Sequence, residues 1–212
     1  MLSVSDLRFS YDRGSTFSFP DFACAPHEHW LVRGVSGCGK TTLVHLLAGL
    51  LTPLQGNIWI NGTDITKLAT AKADRFRGKE VGIVFQRHHF IQSLTVVENL
   101  EVCRFLNGLS MPRRKALDLL ERLDIAHKAD TRPGQLSQGE QQRLSIARAI
   151  INKPSVILAD EPTSSLDDEN CREALQLLKR EAKNNGSVLL VVTHDQRLLP
   201  HFNHLLELSR QP

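Results

Sequence analysis

The stretch Gly34-Val35-Ser36-Gly37-Cys38-Gly39-Lys40-Thr41 constrains this chain more than any other. It satisfies G-x-x-x-x-G-K-[ST], a pattern that has meaning only between a strand and a helix. Trp30, Leu31 and Val32 read as the end of a buried strand. Residues 42–50 read as a helix, because Leu43, Leu46, Leu47 and Leu50 recur at helical spacing. Between the two, glycines let successive N–H groups point inward, and the helix N-terminus adds partial positive charge. The segment is therefore read as a nucleotide-phosphate loop made of Gly34, Ser36, Gly37, Cys38, Gly39, Lys40, Thr41 and Thr42. Lys40 would reach the β- and γ-phosphates, and the Thr41 hydroxyl would ligate Mg²⁺. An ordinary Gly-rich turn would account for the glycines but not for a Lys-Thr pair opening a helix.

The remaining pattern predicts an α/β fold around that loop. Strands are expected at 2–9, 16–23 (interrupted by Pro20, hence an edge), 57–60, 81–85, 156–159, 187–192 and 205–208. A turn is read at 11–14, and Asn61-Gly62 is a hairpin signal. Helices are expected at 69–77, 95–107, 112–123, 137–151 and 166–182, with Asp64 capping a short turn and Ser137 capping the fourth helix. Strands alternating with helices imply a parallel sheet covered on both faces. The expectation is one domain over 1–212. Its core comes from 1–86 and 137–212, with abbreviated N-terminal strands, and a helical subdomain is inserted at about 87–136.

Composition narrows the classes. Apolar residues make up 41% and charged residues 23%, ordinary for a globular chain, and a net charge of +3 is too small to argue for nucleic acid. No apolar run approaches the roughly 20 residues of a membrane span, and Asp6 and Arg8 break up any signal-like start. A membrane connection would have to come through a partner. Cys24, Cys38, Cys103 and Cys171 form no CxxC pair and fit reduced thiols in the cytoplasm. Cys38, beside Lys40 and a helix N-terminus, is expected to be a reactive thiolate. His27 with His29, His88 with His89, and His201 with His204 lack partners for a metal site, and Arg113-Arg114-Lys115 reads as a solvated helix start.

A second acidic site accompanies the loop. Val156-Ile157-Leu158-Ala159 is an apolar strand that delivers Asp160 and Glu161 at its C-terminal end, where α/β sheets bind ligands. Asp160 suits the Mg²⁺ shell, and Glu161, facing the other way, suits a general base for an attacking water. Further along lie Leu136-Ser137-Gln138-Gly139-Glu140-Gln141-Gln142-Arg143, the run from Ala159 through Pro162 to Asp167, and Thr193-His194-Asp195.

With Gly34–Thr41 and Gln86, these motifs make the chain resemble the ATP-binding-cassette ATPases in order and spacing from about residue 2 to 208. The resemblance implies a P-loop NTPase core that binds ATP with Mg²⁺ and hydrolyses it. It implies that Tyr11 stacks on adenine, the alternative being a turn tyrosine packing locally. It implies that Gln86 touches Mg²⁺ and the attacking water, and that His194 holds the γ-phosphate and orients Glu161. Ser137, Gly139 and Glu140 would contact nucleotide held by a second copy of the chain, with Asp167 communicating across that dimer.

Three departures stand out. Gln138 and Glu140 depart from the family's usual Leu-Ser-Gly-Gly-Gln, Cys38 replaces a commoner serine, and Pro26 to His29 replace a Gly-Glu turn. Residues 81–91 and 94–100 look most like the lipoprotein-release and macrolide-export ATPases, which drive a membrane permease mechanically. That implies a place on the cytoplasmic face of the membrane, with Phe90, Ile91 and Leu94 meeting the permease or capping the subdomain's own core. The competing class is a cassette ATPase of a soluble enzyme complex, cell division or DNA maintenance.

Overall fold

The computed structural model describes residues 1–11, 16–110, 112–164 and 166–209. The turn read at 11–14 falls largely on residues outside that set, and so does Ser165. Strands β1 (Leu2–Phe9), β2 (Phe17–Ser18), β3 (Phe22–Cys24), β5 (Gln55–Ile60) and β6 (Thr63–Asp64) form an antiparallel sheet at the N-terminus. Pro20, which cannot donate to a ladder, separates β2 from β3, and both pair with β1. Asn61 and Gly62 both have positive φ, 48° and 76°, as a two-residue hairpin turn between β5 and β6 requires.

The second sheet is parallel. Its order is β10 (His204–Leu208), β4 (His29–Gly34), β9 (Val188–Val192), β8 (Val156–Asp160) and β7 (Val81–Val84). Alternation along its central strands explains the layers. Val156, Leu158, Val188, Leu190 and Val192 join one apolar core with β1, β5 and α1 (Lys40–Leu47). Ile157, Ala159, Leu189 and Val191 join the other. That second core continues into α3 (Val96–Phe105), α4 (Arg113–Arg122), α5 (Gln138–Ile150) and α6 (Asp168–Asn185). Helix α2 (Thr70–Glu80) precedes β7 and buries no residue fully. Strands 156–160 and 188–192 are buried at every position, which is why, Asp160 at the strand end apart, their sequences are apolar without a polar face.

Helix starts follow their caps. Thr95 and Glu98 form a capping box at α3, and Ser137 and Glu140 form another at α5. Asp64 accepts from Thr66 N–H at the head of a short 3-10 turn, as expected. Among the described residues no helix is long and apolar enough to cross a membrane, and no group of His, Cys, Asp and Glu could hold a metal by itself.

One expectation changes, and one open alternative divides. Cys38 is 3% exposed and belongs to the first core, and a Cβ added to Gly34 would lie 2.4 Å from its Sγ. The thiol therefore points into packed protein and not into the loop's concavity. Phe90 is packed inward against the second core, with His88 stacked on it at 5.2 Å and the Arg148 guanidinium 5.7 Å from its ring. The loop's apolar residues thus divide, with Ile91 outside and Phe90 inside.

Two measurements follow from this packing. Cys24, Cys38 and Cys171 are buried, so thiol titration of the native protein should label Cys103 first. Cys38→Ser should leave that first phase unchanged. Leu120 on α4 is completely buried, so Leu120→Ala should lower unfolding stability in urea by about 2–5 kcal/mol.

Candidate functional site

Parallel strands bring their C-terminal ends to one edge, and the motifs meet there. The register aligns Val32 with Val192 and Val192 with Asp160. The loop after β4, the Asp160-Glu161 pair ending β8 and the Thr193-His194 pair after β9 are therefore neighbours. Gln86, two residues past β7, reaches the same edge. A cleft of about 540 Å³ is lined by Phe17, Gly34, Val35, Ser36, Gly37, Gly39, Lys40, Thr41, Thr42, Gln86, Glu161 and His194.

The loop itself depends on backbone that only glycine adopts without strain. Gly37 and Gly39 have φ of 81° and 96°, and a Cβ on Gly39 would sit 2.7 Å from the Phe17 ring. Gly39 caps α1 with backbone alone, leaving the first N–H groups of that helix directed at the cleft. Lys40 Nζ donates to Gly34 O at 2.8 Å and Val35 O at 3.2 Å, so its charge is held over the loop.

The two carboxylates differ as strand alternation demands. Asp160 falls on the α1 side, 4% exposed, near the Thr41 side chain. Burial pushes its carboxyl above the ordinary value; the Thr41 hydroxyl opposes this, and the neighbouring Glu161 charge adds to it. Asp160 Oδ1 is buried with no hydrogen-bond partner among the described residues. A bare, buried carboxylate oxygen beside a threonine hydroxyl fits a hard divalent cation such as Mg²⁺.

Glu161 turns the other way and is 8% exposed. Its φ is +49°, a left-handed conformation uncommon for a residue with a side chain. Thr193 Oγ1 donates to its Oε2 at 2.7 Å, and His194 N–H donates to Oε1 at 3.2 Å. His194 Nδ1 lies 2.7 Å from the same Oε1, while most of the imidazole is exposed toward the cleft.

Other expected residues are placed differently. Tyr11 is 54% exposed and does not line the cleft; its hydroxyl is 3.0 Å from Thr42 Oγ1, and its ring meets Phe9 and Phe17 edge-on. The aromatic ring that does line the cleft is Phe17. Sequence reading passed it over because it sits in an abbreviated two-residue strand with no motif around it. Thr193 was visible as part of Thr193-His194-Asp195, but nothing in one dimension shows that its hydroxyl meets Glu161.

Ser137, Gly139 and Glu140 lie outside the cleft, at the head of α5. Glu140 accepts from Ser137 N–H at 2.8 Å and pairs with His127 and Lys128 at 3.4 and 3.5 Å. Ser137 N–H, before Lys128, holds the Glu140 carboxyl below the usual range. The glutamate that departs from the usual signature is therefore a capping residue.

Comparison with known proteins agrees with this geometry. The family described as ABC transporter matches residues 19–164. An uncharacterized ABC transporter ATP-binding protein of Mycobacterium bovis is 41% identical over 98% of this chain. The chain spans 64% of that relative's length. The lipoprotein-releasing system ATP-binding protein LolD of Psychrobacter arcticus is 36% identical over 93% of this chain and 91% of its own length. Among solved structures, the dimeric ATP-binding cassette MJ0796, in a post-hydrolysis state bound to ADP and Pi, superposes with a TM-score of 0.89. It is 29% identical and covers 100% of this chain and 97% of its own. The superposition, the phosphate loop at the edge of the sheet and a family match over most of the length lead to one conclusion: the chain belongs to the ABC transporter family, as an ATP-binding cassette with a P-loop NTPase fold.

Proposed function

We propose that this chain binds and hydrolyses ATP as the nucleotide-binding subunit of an ABC transporter, acting as a pair of copies that drives a membrane permease. The observation that carries the reading is the convergence of the loop at 34–42, Gln86, Asp160, Glu161 and His194 on one sheet edge, with Glu161 already oriented by two donors. In this reading the loop N–H groups and Lys40 bind the phosphates, Thr41, Asp160 and Gln86 would hold Mg²⁺, and Phe17 rather than Tyr11 flanks the base end. Mg²⁺ would neutralise charge developing on the β- and γ-phosphate oxygens. Glu161 takes a proton from water as its oxygen bonds to the γ-phosphorus and the bond to the β-phosphate oxygen breaks. His194 sits where it can touch both Glu161 and the γ-phosphate.

Ser137 and Gly139 cannot reach nucleotide in their own cleft, so their phosphate contact is assigned to a second copy facing the first. Glu140 contributes by fixing the backbone of Ser137 through the cap. The permease is assigned to a second cleft of about 460 Å³ between α2, β7 and α3, lined by Arg77, Phe85, His88, Leu106 and Arg148 among others. Phe105 and Leu106 at the end of α3 are each 76% exposed, a local apolar surface of the kind partners cover. The cleft includes Phe85 and His88 on either side of Gln86, so pressure there would be felt at the γ-phosphate. The likeness to proteins named for lipoprotein release supports an exporting or mechanically coupled permease, with this chain on the cytoplasmic face of the membrane.

The base assignment has a direct test. Glu161→Gln should reduce ATP turnover by about a hundredfold or more while retaining nucleotide binding and accumulating an ATP-bound dimer, whereas Lys40→Ala should weaken binding itself. Turnover near the wild-type rate in Glu161→Gln would overturn the assignment.

The paired arrangement is tested by mixing. Subunits carrying Ser137→Arg and subunits carrying Lys40→Ala should together form one composite site that binds ATP, detectable as a nucleotide-bound heterodimer. Its absence with both variants folded would count against a two-copy site.

A further inference from the structure

Among the described residues, the hydrogen bonds to the Glu161 carboxylate come from the end of β9, and one residue without an assigned role controls them. Thr193 is 1% exposed at the end of β9, its backbone N–H bonded to Val32 O on the phosphate-loop strand. Its hydroxyl accepts from Asp195 N–H at 3.0 Å. A backbone N–H can only donate, so the single hydroxyl proton is left for Glu161 Oε2 at 2.7 Å. The polarity of the chain Asp195 N–H, Thr193 O–H, Glu161 Oε2 is therefore fixed.

Asp195 is itself immobilised. Its carboxylate accepts from Thr163 Oγ1 at 3.2 Å and from the Arg197 guanidinium and backbone N–H, and Arg197 also pairs with Asp168 at the first turn of α6. On the other side, Glu161 N–H is bonded to Val192 O at 2.8 Å, beside the positive φ that turns its side chain back toward β9. His194 cannot hold Oε2, since both of its contacts go to Oε1. Oε2 would thus lose its donor in this structure if the Thr193 hydroxyl were removed.

We propose that Thr193 is the positioning residue for Glu161. Its hydroxyl anchors Oε2 and so leaves Oε1, at the cleft side with His194, as the oxygen that receives a proton from water. The proposal rests on the reading of Glu161 as general base. It adds that the rate depends on a neutral, buried hydroxyl on the neighbouring strand, tied through Asp195 and Arg197 to the start of α6.

The test uses the full chain and three substitutions. Thr193→Val keeps shape and removes the hydroxyl, and Thr193→Ser keeps the hydroxyl and removes the methyl. Thr193→Ala serves as the hydroxyl-free variant if the valine protein does not fold. Expected for the hydroxyl-free variant is a kcat lower by about tenfold or more with KM for ATP within about twofold, and for Thr193→Ser a kcat within about threefold of wild type. A second readout is binding of a fluorescent ADP analogue, which should be unchanged, together with slower decay of the ATP-dependent dimer.

A hydroxyl-free variant with wild-type kcat would overturn the positioning role. So would a defect confined to KM or nucleotide binding, or a Thr193→Ser protein as slow as Thr193→Val, since each would make the role one of packing. Glu161→Gln measured alongside separates the two levels. Retained turnover there removes the base assignment and this proposal with it, whereas lost turnover there beside normal Thr193→Val removes only the positioning role.

Discussion

The central strands β8 and β9 are buried on both faces at every position, and much of the molecule follows from that constraint. An apolar strand with no wet side must be covered twice, once by the N-terminal sheet with α1 and once by α3 to α6. These strands and β4 run the same way, so the chain must cross back over a face each time, and each strand ends at the same edge. No polar side chain is placed inside residues 156–159 or 188–192. Chemistry begins at the last residue of the strand or the first beyond it: Asp160 and Glu161 on one strand, Thr193 and His194 on its neighbour.

At that edge, two adjacent carboxylates acquire different environments with no change of residue chemistry. Asp160 continues the alternation toward α1, where burial raises its carboxyl and one oxygen is left without a partner. Glu161 turns out of the strand through a left-handed backbone step and meets three donor positions from the adjacent strand end. A metal ligand needs a free oxygen, and a base needs a held one. The two halves of Asp160-Glu161 meet these opposite requirements, which is the physical content of the roles proposed for them.

The helical side contributes through its caps and guanidinium groups. Arg143 on α5 donates to Leu123 O, just past the C-terminus of α4, and pairs with Glu173 on α6. Arg148, near the end of α5, donates to His88 O and His89 O in the segment after Gln86. The helix that begins at Ser137 thereby holds, near its other end, the loop that carries Gln86. The Ser137–Glu140 box also explains one departure: the glutamate replacing a glutamine gives a charged acceptor at the helix start, where the dipole favours it.

Much of this was legible in one dimension. The phosphate loop needs glycines, a lysine and a threonine at set intervals, because its function is local backbone geometry, and local geometry is written in local sequence. Likewise the apolar runs, the Asn61-Gly62 turn, Pro20 and the Ser137 cap each act within a few residues, and their elements stand where the pattern put them. Tertiary structure decided which groups face each other. Phe17 reaches the cleft because β2 pairs with β1, Cys38 turns into the core under Gly34, and Phe90 packs inward beside Arg148 from a distant helix. Thr193 meets Glu161 because β9 lies beside β8, a register set by burial on two faces. A hydroxyl's partner across a sheet depends on strand order, and strand order is a property of the whole chain's packing that no neighbouring residue encodes.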